Sequence, residues 1–385
     1  MQNEKLVEIL GKKRKKARIK AISVFAKEHY SGQFDAPANS GFHFAFRSNY
    51  SGADKSPSLC VYHAKKFGLP VAAIADFCSL KGVAEFYKAE DALGGVYFCG
   101  TEVPVDALGE KRSLLAVGIP HGSEKRFDKD LKPFYEHRVA KAKRTFAYLT
   151  KKGAAFGIKT DEKAAKKIIS EDRAFLVFAE NAVASLKEES AVRAFLENAF
   201  GADNGDGKLD VLSDFSNPLY ISDLAEITAS LIPEGEIRET LENYSRFSLL
   251  ADKYNSVCLL VYKGEGAETA ADTAAALGAK GVAIDPEKFG EKRAAEVYAA
   301  CEKADMIAVA LTTVSSPRKK FDFAFSDEGL AKKFLLNSLA IAGHEISASI
   351  NPADGLFSPS QSAKTASFAE KIRLFSRIGS KGLPL

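Results

Sequence analysis

Short apolar runs rich in β-branched and aromatic residues recur along this chain, and several are followed by stretches with apolar positions three and four apart. Seven runs read as buried strands, near 42–47, 71–75, 95–101, 113–119, 256–262, 281–284 and 306–311. Helical patterns follow the first two at 58–67 and 83–93, and the last three at 268–277, 291–303 and 327–342. Strands alternating with helices predict parallel βαβ units. Seven of them predict an α/β fold closed as a distorted seven-stranded (β/α) barrel.

The rhythm breaks between the fourth and fifth strands. Residues 123–250 carry helical patterns at 131–152, 162–170, 188–200 and 235–254, with polar loops at Asp203-Asn-Gly-Asp-Gly207 and Ser216-Asn-Pro218. Strand-like alternation occurs there only at Ala174–Phe178. The expected organisation is therefore a basic N-terminal helical segment (1–40), a barrel (41–122 and 251–346), a helical insertion (123–250) capping the barrel's C-terminal edge, and a tail (347–385). The tail reads as irregular, apart from one amphipathic helix over 367–378.

Composition narrows the class. A chain of 385 residues with 46% hydrophobic and 27% charged residues can bury a core. No apolar run approaches the roughly 20 residues of a membrane span, so the expected location is cytoplasmic. Five cysteines without CxxC spacing fit reduced thiols, with Cys60, Cys99 and Cys258 in apolar runs expected in the core. Net charge is +4, yet Gly11–Lys20 alone carries seven positive charges, leaving 47 basic against 50 acidic residues elsewhere. A solvated basic helix is the simpler reading of that run; nucleic-acid binding is the other.

The chemistry sits in three short stretches. His43-Phe-Ala45-Phe-Arg47-Ser-Asn-Tyr50-Ser51 forms the first strand and its exit. Val71-Ala-Ala-Ile-Ala-Asp76-Phe77-Cys78 ends a second strand in Asp, and Gly95-Val-Tyr-Phe-Cys-Gly-Thr-Glu102 ends a third in Glu. Together they resemble the PHP (polymerase and histidinol phosphatase) family, whose corresponding motifs read His-x-His-Thr-x-Tyr-Ser, Asp-His-Asp and Gly-x-Glu. Further on, Ala116-Val117-Gly-Ile-Pro-His121, Ser315-Ser-Pro-Arg318 and Gly343-His-Glu345 resemble motifs of a long subgroup with a helical insertion. The resemblance covers roughly residues 40–346, patchily in the insertion.

It implies a metal-dependent phosphoesterase frame in which metal ions activate water and clamp phosphate oxygens. Carried over position by position, the family's paired histidines fall on Ala45 and Arg47, and its next histidines on Phe77 and Val117. An Asp falls on Thr313, and an insertion histidine on Ala174. The residual metal candidates are Asp76, Glu102, His121 and His344, with Glu345 beside them. They leave no cofactor expected at full occupancy and room for one divalent cation (Zn, Mn or Fe).

The expectation is thus a homologue with a degraded metal site, non-catalytic or weakly active, with a phosphate or carboxylate ligand at the barrel mouth. Arg47, Arg138, Arg318 and Lys319 are its candidate anion-binding residues. Arg47 is expected to replace the metal's charge by pairing with Glu102, Asp76 or both. The alternatives are an active phosphoesterase with a reduced site, and a nucleic-acid-binding scaffold. Ala202–Gly207 imitates an EF-hand loop but lacks its first and last carboxylates, and Gly264-Glu-Gly266 lacks the Lys of a P-loop.

Overall fold

The structure is a computed structural model describing residues 2–12, 14–29, 43–53, 55–69, 71–203, 205, 207–232, 244–314, 324–365 and 367–380. Its strands are β1 (His43–Phe46), β2 (Ala72–Phe77), β3 (Tyr97–Ala107), β4 (Glu110–Val117), β5 (Val257–Val261), β6 (Gly281–Ile284), β7 (Ile307–Ala310) and β8 (Thr313–Val314). They form one sheet in the order β7-β6-β5-β4-β3-β2-β1-β8. β8 continues the β7 segment after Leu311 and Thr312, and it pairs in parallel with β1 through Ala45 and Thr313. The sheet thus curls until its last segment meets its first, giving a distorted seven-stranded barrel with a helical insertion.

One expectation is corrected. Not all strands are parallel: β4 runs antiparallel to both β3 and β5. β3 and β4 are joined by the two residues Leu108 and Gly109, at φ 56° and 80°. Two left-handed residues make the tight turn that fits a twisted hairpin, whereas a parallel crossover needs a dozen or more.

Helices before the insertion are α1 (Gln2–Lys12), α2 (Lys15–His29), α3 (Pro57–Lys66) and α4 (Val83–Leu93). The insertion holds α5 (Glu124–Asp130), α6 (Lys132–Ala154), α7 (Glu162–Ala165), α8 (Glu171–Leu186), α9 (Glu189–Phe200) and α10 (Tyr220–Leu231), with α11 (Tyr244–Lys253) leading back to β5. Then come α12 (Ala267–Ala276), α13 (Pro286–Phe289), α14 (Glu291–Lys303), α15 (Glu328–Ile350), α16 (Pro359–Lys364) and α17 (Phe368–Gly379). Local signals set several boundaries. Ser56, Ser170, Asp327 and Ser367 each accept a backbone N–H at a helix start, and Pro57 opens α3. Residues 174–178 are helical within α8: Ser170 caps that helix, and Ala174, Val177 and Phe178 form its buried face. The pattern read at 162–170 reduces to the four-residue α7; residues 235–243 of the last insertion pattern lie outside the described residues.

Alternate strand residues serve two cores, which is why the strands read as continuous apolar runs. Ala72, Ile74, Cys258, Leu260 and Val282 face the outer helices. Ala45, Ala73, Ala75, Phe98, Leu115 and Leu259 face inward, where Leu339–Ala342 of α15 and Phe375 of α17 join them. α15 crosses the end where β2, β3 and β5 begin: Asn337 binds Ala308 O, His344 meets Asn255 O, and Ser349 Oγ accepts from His121 N. A Cβ on Gly343 would lie 1.9 Å from Phe375 O, so glycine lets α17 lie directly on α15. That contact carries the helix through the glycine, and His344 sits inside α15 rather than after it. The tail is likewise more ordered than its composition suggests, with α16 and α17 both formed.

The insertion has its own core, where Phe146, Leu149, Phe178, Phe195, Leu196 and Leu224 pack together. The N-terminal helices dock on the outer layer through Leu6, Leu10, Ile22 and Phe25. The basic run is therefore not wholly solvated. Arg18 is buried, its Nε and Nη2 donating to Glu85 at 2.7 and 2.6 Å, while Arg14, Lys16 and Lys20 stay exposed.

Candidate functional site

Register decides what points into the mouth, the end where β2 and β3 deliver Phe77 and Glu102 side by side. Arg47 stands two residues beyond inward-facing Ala45, and Phe77 two beyond Ala75, so both continue the inner face. Glu102 continues it from Phe98. The three meet. Arg47 Nη2 donates to Glu102, their side chains being 3% and 8% exposed. The Arg47 guanidinium carbon also lies 4.0 Å from the Phe77 ring centroid. Nε and Nη1 of Arg47 are buried and meet no acceptor among the described residues. A buried guanidinium with two unmet donors is costly and calls for an explanation.

Arg138, from α6, approaches the same ring at 5.0 Å. It donates to Ser51 O at 2.6 Å and Ile169 O at 3.2 Å, tying the loop after β1 to the insertion. Burial lowers its pKa from the ordinary arginine value. Gly52 makes that junction close: a Cβ there would lie 2.1 Å from Ser170 Oγ.

Asp76 has the opposite parity and does not face Glu102. It accepts from Ser48 N at 2.7 Å, Ser48 Oγ at 2.6 Å and Ser51 Oγ at 2.7 Å. Burial raises its pKa, against the pull of these bonds and of Arg47. Its visible work is to pin residues 48–51 at the strand exit.

His121 and His344 sit at the other end of the barrel. Because β4 runs backwards, Val117 lies beside Gly100 and the chain leaves β4 where β3 begins. His121 Nε2 is 3.5 Å from Glu345 and Nδ1 is 3.6 Å from Glu124, with the ring 4.6 Å from that of Tyr87. Glu345 accepts from the Tyr87 hydroxyl and from Cys99 N, and burial pushes its pKa up to about 7. His344 has both ring nitrogens engaged: Leu356 N donates to Nδ1 at 2.9 Å, and Nε2 meets Asn255 O at 2.8 Å. Burial lowers its pKa to about 4, so the ring is neutral.

The four residual metal candidates thus fall into two sets at opposite ends. Among the described residues, no three of His, Cys, Asp or Glu come together in a group that could hold a metal ion. Arg318 and Lys319 lie outside the described residues. Cys78 adjoins the site at φ 53°, but burial pushes its thiol up to about 12, leaving it unreactive.

Two cavities flank Phe77, Glu102 and Asp172. The larger, about 540 Å³, lies between the barrel mouth and helices α8 and α10, with Arg47 in its wall. The smaller, about 300 Å³, lies toward the β3–β4 hairpin and α6, and is richer in cations: Lys111, Arg112, Arg138 and Lys141 line it. Asp172 stays open to the cavities yet is crowded by protein, and that crowding raises its pKa. Sequence reasoning missed the apolar wall from α8 and α10, and Ser48 and Ser51 as partners of Asp76. The Ser48–Ser51 spacing next to a strand-end Asp was the available signal for the second.

No protein-family model matches the chain, and no curated protein matches it. Solved structures do. One, assigned as a metal-dependent phosphoesterase from Bifidobacterium adolescentis, is similar at 15% identity and TM-score 0.51, over 77% of this chain and 97% of its own. Another, an amidohydrolase from Chromobacterium violaceum with bound sulfate and no metal, aligns at 14% identity and TM-score 0.49, over 76% and 96%. At such identity the likeness to the first is one of fold.

Proposed function

We propose that this chain is a ligand-binding protein built on a metal-phosphoesterase-like barrel, with a guanidinium in place of the metal ions and an anionic oxygen ligand at the mouth. The Arg47 side chain carries the reading: buried, bound to Glu102 by one nitrogen and unmet at the other two. A permanent cation at that position pairs with Glu102 without a metal and repels an incoming divalent ion. Ala45 and Phe77, on the same inner face, offer no lone pair to a metal. The unmet N–H groups ask for an acceptor, which a carboxylate or phosphate oxygen supplies.

On this reading the mouth has no activated water of the kind phosphoester hydrolysis uses. Turnover of p-nitrophenyl phosphate should stay at background with zinc, manganese or iron added. Thermal-shift screening with acetate, benzoate and inorganic phosphate tests the binding half. At least one anion should raise the melting temperature of the wild type and not of Arg47→Met. Metal-dependent turnover abolished by Glu102→Gln would defeat the proposal.

A further inference from the structure

We infer that the ligand of the larger cavity is a small monocarboxylate with an apolar body, an inference that rests on the anion reading above. Its volume, about 540 Å³, is that of a small-molecule site. Apart from Arg47 and Glu102 at the barrel side, much of its wall is apolar, with Phe175, Leu176, Ala225, Val261 and Leu311 around it. Inorganic phosphate alone would leave that wall wet; a hydrocarbon body would cover it.

Charge selects the head group. Arg47 is already matched by Glu102, and Asp172 and Glu226 also line the cavity. A phosphate dianion would face three carboxylates in the cavity wall against one lining guanidinium, with Arg138 set back at 5.0 Å from the Phe77 ring centroid. A monocarboxylate meets about half that repulsion and still offers two oxygens to the fork. An amine would leave the Arg47 donors unmet, and an alcohol would meet them without charge. Because Nε and Nη1 are shielded from solvent, the ligand must displace the guanidinium or Phe77 slightly to reach them. Burial of the ligand's apolar body is what offsets that cost.

The test is calorimetric titration of the full chain with acetate, butyrate, hexanoate and octanoate, beside hexyl phosphate, hexylamine and hexanol. Affinity should rise about four-fold per methylene until the cavity is full. Hexanoate should bind at least about tenfold tighter than hexyl phosphate. Arg47→Met should bring hexanoate down to hexanol; Arg47→Lys, which keeps the charge and loses the fork, should fall between. Ala225→Leu, which narrows the apolar part, should end the chain-length gain earlier. If carboxylates bind through Arg47 with no chain-length gain, or hexyl phosphate binds tighter, this inference is overturned while the anion reading stands. If hexylamine binds best, if no anion binds, or if Arg47→Met changes nothing, both fall.

Discussion

Two buried arginine–glutamate pairs divide this molecule's chemistry. Arg18 and Glu85 lie between the N-terminal helices and the outer layer, and Arg18 meets Glu85 through two nitrogens while Ser58 Oγ donates to Glu85 at 2.8 Å. Arg47 and Glu102 lie at the mouth, joined by one nitrogen, with two donors unmet and a cavity alongside. Both pairs are buried. The first is satisfied and reads as architecture. The second is under-satisfied in a way folding alone does not favour, and that points to a ligand.

The sharpest way to break the comparison is to remove each cation. Arg18→Met strands a buried carboxylate and should cost about 3–5 kcal/mol in urea unfolding, with much of it recovered in Arg18→Met/Glu85→Leu. A cost below about 1 kcal/mol would make the pair a surface-type bridge.

Next in size is a buried carboxyl with no arginine. Glu345 has a folded pKa of about 7, above the ordinary 4.5, so it contributes stability that is full below about pH 4.5 and lost as pH rises through 7. His344, at about 4 against 6.5, does the reverse: its contribution is full above about 6.5 and lost as pH falls through 4. The two slopes oppose each other in the interval they share. Glu345→Gln should therefore expose stability that rises with pH over that interval, relative to wild type, by about 2–3 kcal/mol. Parallel profiles for the two proteins would contradict the assignment.

Arg47→Met should cost less than Arg18→Met, about 1–3 kcal/mol, because it also removes two unmet donors. Adding Glu102→Gln should then cost little more, and full additivity would mean the two side chains are not coupled. Smallest of all, Lys16→Ser with Lys20→Ser, on the exposed side of the same helix as Arg18, should change stability by less than about 0.5 kcal/mol.

Much of the barrel was legible because its strands are apolar on both faces and its helices start at Ser and Asp caps. The direction of β4 was not, since an apolar run carries no arrow; only the short Leu108-Gly109 link between alternating residues gave it away. That arrow moved His121 away from Asp76 and Glu102, while α15, crossing the end where β2, β3 and β5 begin, holds His344 there against Asn255 O. The family resemblance singled out Arg47 and Phe77 as positions of lost histidines, and both continue the inner face beyond Ala45 and Ala75. The unmet nitrogens of Arg47 could not be read at all, because they depend on what α8, α10 and the other strands fail to bring.

The central claim is that a guanidinium stands where metal ions would. Purified chain can be incubated with excess zinc, manganese and iron, desalted and subjected to elemental analysis, beside Glu102→Gln. The account predicts less than one ion per chain in both. Two or more ions per wild-type chain, lost in Glu102→Gln, would contradict it.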